Sequence, residues 1–188
     1  TPLWSIPSLL PKFRDSLAAL LLFATSALAQ DQSAYYRTET YELPKGVNFE
    51  ASGIAVLPDG KLAVGLRKGE VWIAQNPTDT AKPDFKLFAS GLHEILGLAW
   101  HDGALYATQR SEVTKLRDTD ADGKADEYLS ASTGWGVSGA YHEYAYGPVF
   151  DKEGNLYTSL NSSMGKAWKG AGDEEKHPLW RGWVVRMN

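Results

Sequence analysis

Hydrophobic and polar residues alternate along most of the chain after residue 50, and the pattern occurs three times. Each repeat has a glycine, two or three apolar residues, a turn with Asp or Glu before Gly, and then an alternating strand. The repeats read SGIAVLPDGKLAVGLRKGEVWIA from Ser52, LGLAWHDGALYATQRSEVTKLRD from Leu96, and YGPVFDKEGNLYTSLNSS from Tyr146. Because no sustained helical periodicity follows residue 30, the pattern predicts an all-β protein.

The spacing of the repeats predicts the architecture. The leading glycines Gly53, Gly97 and Gly147 are 44 and 50 residues apart. Repeats of about 40–50 residues made of short strands are typical of β-propeller blades, and a generic β-sandwich is the alternative. FKLFAS is predicted as the outer strand of the first blade and WRGWVVRM as the last inner strands of the third. Since a closed ring needs at least about four blades, we expect residues 30–188 to be the N-terminal part of a longer propeller domain.

The first thirty residues have a different pattern. Lys12 and Arg14 precede SLAALLLFATSALAQ, in which a short apolar stretch is followed by the small residues Ala27 and Ala29. This order predicts a signal-peptide helix over residues 1–29, with cleavage after Ala29. A transmembrane anchor is the alternative, but the apolar run is shorter than the roughly 20 residues that a spanning helix needs. We therefore expect an exported protein, periplasmic or extracellular, with no membrane span in the mature chain.

Composition limits the function classes. The chain is 43% hydrophobic and 22% charged, which is typical of globular proteins. Its net charge of −4 argues against a nucleic-acid partner, because phosphate binding requires a basic surface. The sequence contains no cysteine, which excludes disulfides, thiolate zinc sites and cysteine nucleophiles.

An acidic loop, DTDADGKAD, spans residues 118–126. Acids at its first, third and fifth positions, followed by glycine at the sixth, resemble the start of a calcium-binding loop. Leu129 occupies the twelfth position, where an EF-hand requires glutamate, and no helical pattern flanks the loop. The alternative is a solvated turn between the second and third blades. The predicted calcium ligands are the side chains of Asp118, Asp120, Asp122 and Asp126 and the carbonyl oxygen of Lys124.

The stretch GAYHEYAYGP places His142, one of four histidines in the chain, in a glycine-flanked loop before the third repeat. The pair of motifs HEYAYGP and DTDADGKAD resembles the pyrroloquinoline-quinone-dependent glucose/sorbosone dehydrogenases, which are six-bladed, NHL-like quinoprotein propellers. It is most similar to the exported dehydrogenase-like propellers of planctomycete-type bacteria. The resemblance covers residues 51–188.

This resemblance implies a function for His142. In the family, a histidine just before this strand is the general base that takes a proton from a sugar hydroxyl while a hydride passes to the quinone. A neutral imidazole suits that task near pH 7. The resemblance also implies a sugar or polyol substrate and a c-type cytochrome as electron acceptor. Glu143 and Tyr144 depart from the Asn and glycines that commonly follow the histidine in sugar-oxidising members.

Three polar residues end equivalent strands of successive repeats, so they are predicted to share one surface. They are Arg67 in GLRKG, Arg110 in TQRSE and Asn161 in SLNSS. Two arginines and an amide are suited to an anionic cofactor or a sugar, although solvated hairpin tips are the alternative. His93, which precedes the second repeat, is a secondary candidate. Trp135 is predicted either to stack on a sugar or to cap the blade. For His101 and His177 the sequence predicts no role.

Two other functions remain open at this stage. A metal-dependent lactonase propeller needs a carboxylate just before the first repeat, where Glu50 stands. It also needs an acid at the end of the next strand, where this chain has Arg67, and this disfavours that class. A non-catalytic propeller that binds a glycan or a partner protein is the other alternative.

Overall fold

The computed structural model describes residues 33, 35–138, 140–163, 168–169, 175–176 and 178–187. The chain forms two compact units, Thr1–Glu39 and Thr40–Asn188, and every described strand belongs to the second. The predicted signal peptide, residues 1–29, lies outside the described residues. Within the described ranges, no helix is long and apolar enough to cross a membrane.

The described strands form antiparallel sheets in the pattern of propeller blades. In the first two sheets, four consecutive strands pair in chain order, β1-β2-β3-β4 and β5-β6-β7-β8. The third sheet has the order β13-β10-β9, and β11 and β12 form a separate two-stranded hairpin between β10 and β13. The strand bounds are Ala51–Val56 (β1), Leu62–Leu66 (β2), Val71–Ala74 (β3), Phe85–Ala89 (β4), Leu98–His101 (β5), Ala104–Thr108 (β6), Val113–Arg117 (β7), Glu127–Ser132 (β8), Ala145–Phe150 (β9), Leu156–Leu160 (β10), Trp168–Lys169 (β11), Glu175–Lys176 (β12) and Val184–Met187 (β13).

The structure confirms the predicted all-β propeller fold, with one sheet for each sequence repeat. β4 is the outer strand predicted from FKLFAS, and β13 from WRGWVVRM pairs with β10 of the third sheet. One expectation was wrong. The acidic loop was expected between the second and third blades, yet it connects β7 and β8 within the second blade. β8 has no recognisable strand pattern in the sequence, because four of its six residues are exposed and it has no buried apolar face.

The hydrophobic cores lie between successive blades. One cluster joins the first and second sheets and includes Val71, Ile95 and Leu116. A second joins the second and third sheets and includes Tyr106 and Leu156. β6 lies between the two clusters, and all five of its residues are buried. Alternate β6 side chains therefore face opposite neighbours, and this explains why the segment ALYAT is apolar at nearly every position.

The antiparallel order of the strands sorts the connections to two ends of the blades. The β2–β3 turn, the β6–β7 turn, the segment after β10 and the segment before β9 all lie at one end, which we call the His142 end. The registers agree, since the first residue of β1, Ala51, pairs with the last residue of β2, and Ala145 pairs with Leu160 in the same way. The acidic loop after β7 lies at the opposite end.

Candidate functional site

The loop before β9 carries His142, and Arg110 holds it from the second blade. Arg110 donates from Nε to the carbonyl oxygen of Glu143 at 3.2 Å and from Nη2 to that of Ala140 at 2.5 Å. Trp135 fixes this arginine in turn, because its indole Nε1 donates to the Arg110 carbonyl oxygen at 2.8 Å. Arg110 therefore shapes the backbone on both sides of His142.

Asn161, directly after β10, holds the same loop from the third blade. Its Oδ1 accepts a hydrogen bond from the backbone nitrogen of Tyr144 at 2.8 Å, and its Nδ2 donates to the carbonyl oxygen of His142. The structure thus brings Arg110 and Asn161 to one surface, as the repeats predict, and places His142 beside them. Both polar side chains are already hydrogen-bonded to loop backbone, so in this structure they serve the loop. Their binding of a cofactor stays a prediction.

Two buried residues that the repeats do not point to, Glu143 and Arg181, also anchor the His142 loop. Glu143 is fully buried, and its carboxylate accepts from the Ser138 nitrogen at 2.6 Å and from the Ser163 hydroxyl at 3.0 Å. Arg181 is also buried, and its Nε lies 4.0 Å from the Glu143 carboxylate. Arg181 also donates to the carbonyl oxygens of Gly136 at 2.9 Å and Tyr144 at 2.8 Å. The acidic residue next to His142 was the one feature of the sequence that could have indicated this pair. Nothing in the sequence links Glu143 to Arg181.

The buried carboxylate stays ionised because its partners outweigh the effect of burial. Burial raises the pKa of Glu143, whereas the hydrogen bonds from Ser138 and Ser163 and the positive charge of Arg181 lower it, and the net direction is down. Burial lowers the pKa of Arg181, and the negative charge of Glu143 opposes that shift. The pair therefore forms a charged anchor under the His142 loop.

His142 itself is exposed at the surface of this anchored loop. Its ring meets the ring of Tyr141 edge-on, with centroids 5.1 Å apart and an interplanar angle of 77°. Among the described residues, none forms a hydrogen bond with the imidazole nitrogens. An imidazole in this position is able to receive a proton from a ligand.

Arg67 reaches the same loop from the β2–β3 turn of the first blade. Its Nη1 donates to the Tyr141 hydroxyl at 2.5 Å, and its Nε lies 3.4 Å from the Glu50 carboxylate. The predicted surface common to the three blades is therefore present, because Arg67, Arg110 and Asn161 all contact the segment 140–144. Arg67 differs from the other two in that 41% of its side chain is exposed.

The remaining candidates are less suited to a site role. The imidazole of His93 is exposed and lies 3.8 Å from Glu94, which in turn lies 3.6 Å from Arg110. Trp135 is only 6% exposed and packs in the second core cluster, so it caps the blade. His101 stacks on Phe150 with centroids 4.0 Å apart, which makes it a packing residue between the second and third blades. His177 lies outside the described residues.

The acidic loop after β7 brings carboxylates together. Ligand oxygens of Asp118, Asp120 and Asp126 lie within 4.8 Å of one another. Asp122 is placed differently, because its carboxylate accepts from the backbone nitrogen of Lys124 at 2.8 Å. Gly123 has a φ of 89°, which permits the sharp turn that the sequence predicted, and its nitrogen donates to Asp118 at 2.9 Å.

Two further observations bear on a cation in this loop. The Oδ1 atom of Asp118 is buried and has no hydrogen-bond partner in the described part of the chain, so the loop contains an unsatisfied oxygen that suits a hard cation. The Asp126 carboxylate accepts two hydrogen bonds from Thr119, the backbone one being the larger cause of the lowered pKa of Asp126. The chemistry of this donor set fits calcium.

The lactonase interpretation gains no support from the site geometry. Among the described residues, the acids close enough to share a cation are those of the acidic loop, and Glu50 is not among them. The Glu50 carboxylate is instead occupied by Arg67 at 3.4 Å and by the Asn48 amide at 2.8 Å. The Glu50 carboxylate is therefore already in contact with a cationic side chain.

Comparison with known proteins adds similarity at the level of the fold. No protein-family model matches the sequence, and no curated protein sequence matches it. Among solved structures, the chain is similar to the PQQ-bound form of aldose sugar dehydrogenase from Streptomyces coelicolor, with 18% identity and a TM-score of 0.52, covering 80% of this chain and 46% of the other. It is also similar to a protein from Thermus thermophilus with the provisional description of oxidoreductase (glucose dehydrogenase), with 20% identity and a TM-score of 0.50, covering 74% and 45% of the two chains.

The similarity extends over most of this chain but over less than half of each neighbour. At these identities it shows a common fold. Together with the blade topology, it shows that the described residues from Thr40 onward have the fold of part of a β-propeller.

Proposed function

We propose that this chain is part of an exported quinoprotein-type oxidoreductase that oxidises a hydroxyl group of a sugar or polyol, with His142 as the general base. The observation that carries the proposal is the convergence of three blades on the His142 loop. Arg67, Arg110 and Asn161 each contact that loop, while the imidazole stays exposed. An anchored loop with one free base is the arrangement that proton abstraction requires.

The role of His142 follows from its surroundings. Oxidation of an alcohol releases one proton from the hydroxyl oxygen, and the His142 imidazole would receive it. Arg110 and Asn161 keep the loop backbone in place, and the buried pair of Glu143 and Arg181 anchors it from below. The base is therefore positioned before a ligand arrives, so that binding does not have to order the loop.

The described residues suit an anionic planar cofactor, because the exposed guanidinium of Arg67 adjoins the exposed aromatic ring of Tyr141. Pyrroloquinoline quinone, the cofactor of the Streptomyces neighbour, is a planar tricarboxylate of this kind. When bound, it supplies the electrophile that accepts a hydride. Arg67 is the residue of this chain best suited to bind the carboxylates of the quinone. Arg110 and Asn161 would hold the His142 loop in place.

The acidic loop contributes a second part of the proposal. We assign it calcium, with Asp118, Asp120 and Asp126 as the side-chain ligands that lie together and Asp122 and the Lys124 carbonyl as the further ligands that the sequence predicts. Because the loop joins β7 to β8 at the end opposite His142, its calcium would stabilise the second blade and would take no part in oxidation.

Export and the electron acceptor belong to the proposal as well. The N-terminal pattern supports export to the periplasm or beyond, and an exported quinoprotein requires an acceptor there, for which a c-type cytochrome is suited. The similarity to planctomycete-type exported propellers stays a prediction from the paired motifs.

The experiment uses the complete gene product, loaded with pyrroloquinoline quinone and assayed against a panel of aldoses and polyols with a dye as electron acceptor. Quinone uptake is measured separately by absorbance after gel filtration, and the protein without quinone is the control. We expect uptake and quinone-dependent dye reduction. A protein that takes up no quinone would end the dehydrogenase interpretation, and a glycan- or protein-binding propeller would replace it.

A further inference from the structure

Tyr141 is held at its hydroxyl by a residue from a distant part of the chain. Arg67 Nη1 donates to the Tyr141 oxygen at 2.5 Å, and the guanidinium carbon lies 5.8 Å from the centre of the Tyr141 ring. Tyr141 is nevertheless 52% exposed. The phenol is therefore polarised by a cation on a residue that a ligand can reach.

Tyr144 also adjoins Tyr141. Their rings meet edge-on, with centroids 6.0 Å apart. The pKa of Tyr141 is lowered, mainly by the hydrogen bond from Arg67 and secondly by its contact with Tyr144, and the same contact raises the pKa of Tyr144.

The other charged groups near Tyr141 come from separate elements. Glu50, before β1, lies 3.4 Å from Arg67. Glu94, between β4 and β5, opposes ionisation of Tyr141 by its negative charge. His142 adjoins Tyr141 on the loop itself, with ring centroids 5.1 Å apart. The contact with Arg67 outweighs the nearby acids, because a direct charge-assisted hydrogen bond is stronger than a charge at a distance across solvent.

We propose that Tyr141 is a substrate-orienting residue, whose oxygen accepts a hydrogen bond from a second hydroxyl of the ligand while His142 receives the proton of the first. This inference rests on the proposed function and narrows its substrate class to polyols with neighbouring hydroxyl groups. The phenol oxygen has two lone pairs, and since Arg67 donates to it once, it has room for a second donor. Two acceptors on adjacent residues match two adjacent hydroxyls, whereas a simple alcohol would occupy only one of them.

The first test measures the tyrosine itself and requires no turnover. The complete protein is labelled with [13Cζ]tyrosine, the Tyr141 signal is assigned with Tyr141→Phe, and its pH titration is followed by NMR. We expect Tyr141 to ionise below the ordinary tyrosine value of about 10, and Arg67→Gln to raise its pKa. If Tyr141 ionises at that ordinary value and Arg67→Gln does not move it, the proposal is overturned even when the enzyme is active.

The second test separates binding from chemistry. For the best aldose of the panel, Tyr141→Phe should raise KM about tenfold or more with little change in kcat, as the loss of one charge-assisted hydrogen bond predicts. For a deoxy analogue of that aldose, in which the neighbouring hydroxyl is missing, the same variant should change KM little. Tyr146→Phe removes a nearby exposed phenol that has no such contact and serves as the control. An unchanged KM for the aldose would overturn the role of Tyr141, and lack of any turnover by the parent protein would instead reject the proposed function.

Discussion

Gly97 and Gly147 bring the innermost strands of the second and third blades into backbone contact. A Cβ atom on Gly97 would lie 1.6 Å from the carbonyl oxygen of Gly147, far inside any allowed separation. Gly53 approaches Gly97 similarly, since a Cβ on Gly53 would lie 2.7 Å from the Gly97 Cα. Gly53 and Gly97 are therefore required because the backbone of the neighbouring blade leaves no space for a side chain, whereas Gly147 is required because its φ is 114°.

This contact predicts that Gly97→Ala destabilises the protein. The clash is with backbone, which cannot rotate away, so the loss in free energy of unfolding should reach about 3 kcal/mol or more, the upper range for overpacked sites. Urea denaturation followed by tryptophan fluorescence measures it. Gly134→Ala is the matched control, because its Cβ would meet nothing closer than the Ser132 hydroxyl at 3.9 Å. Equal midpoints for the two variants would contradict the close approach.

Replacing His142 tests the proposed base. In the quinone-loaded complete protein, His142→Ala or His142→Asn should lower kcat about 10²–10⁴-fold, the usual effect of losing a positioned base. The fold should be unaffected, because the side chain is exposed and contributes little to a core. Steady-state kinetics with quinone uptake as a parallel measurement checks this. Turnover by His142→Ala at the parental rate would show that the histidine only packs against Tyr141.

The buried glutamate predicts a pH-dependent stability. The pKa of Glu143 is lower in the folded protein than in the unfolded chain, so its stabilising contribution is complete above the unfolded value of about 4.3 and is lost as pH falls through the folded value. Glu143→Gln should cost about 1–3 kcal/mol at neutral pH, because Arg181 loses its counter-ion and Ser138 and Ser163 lose part of their acceptor.

The measurement is the midpoint of urea denaturation from pH 7 down to pH 3. The stability difference between the parent and Glu143→Gln should shrink as the pH falls. Glu153→Gln changes an exposed glutamate in the β9–β10 turn and should follow the parent throughout. A constant difference across the pH range would exclude the charged anchor.

The acidic loop predicts calcium uptake that depends on named carboxylates. Titration calorimetry on the complete protein should show binding that Asp120→Ala weakens by at least about tenfold, because one charged ligand is lost. Asp59→Ala, in an exposed turn of the first blade, is the control. The grouping of Asp118, Asp120 and Asp126 further predicts that Asp126→Ala weakens binding more than Asp122→Ala. Uptake unaffected by Asp120→Ala would remove the loop as the site.

The N-terminal pattern predicts removal of residues 1–29 during export. Mass spectrometry of the exported protein should find a first residue at or near Gln30. A mature protein that retains Leu17–Leu22 would contradict this prediction and would favour the anchor.

The sequence alone was sufficient to identify the blades, because the physical constraints on them are local and repeat. Each blade shows three local patterns in consecutive residues. They are a glycine at the innermost strand, a tight turn with an acid before glycine, and alternation in the following strand. The repeat also placed Arg67, Arg110 and Asn161 on one surface, since antiparallel strands return equivalent positions to the same end. The strand β8 was not predicted, because an exposed outer strand has no apolar face and so no hydrophobic alternation.

Only the tertiary structure decided what those polar residues contact. The hydrogen bond from Arg67 to Tyr141 joins residues 74 positions apart. The pair of Glu143 and Arg181 joins the loop before β9 to the segment just before β13. Arg110 and Asn161, predicted as cofactor-binding residues, form hydrogen bonds with the backbone of the His142 loop, which their spacing in the sequence does not show. Such contacts depend on which blades are neighbours and on where each side chain finds a partner, and neither is recorded in the spacing of residues along the chain.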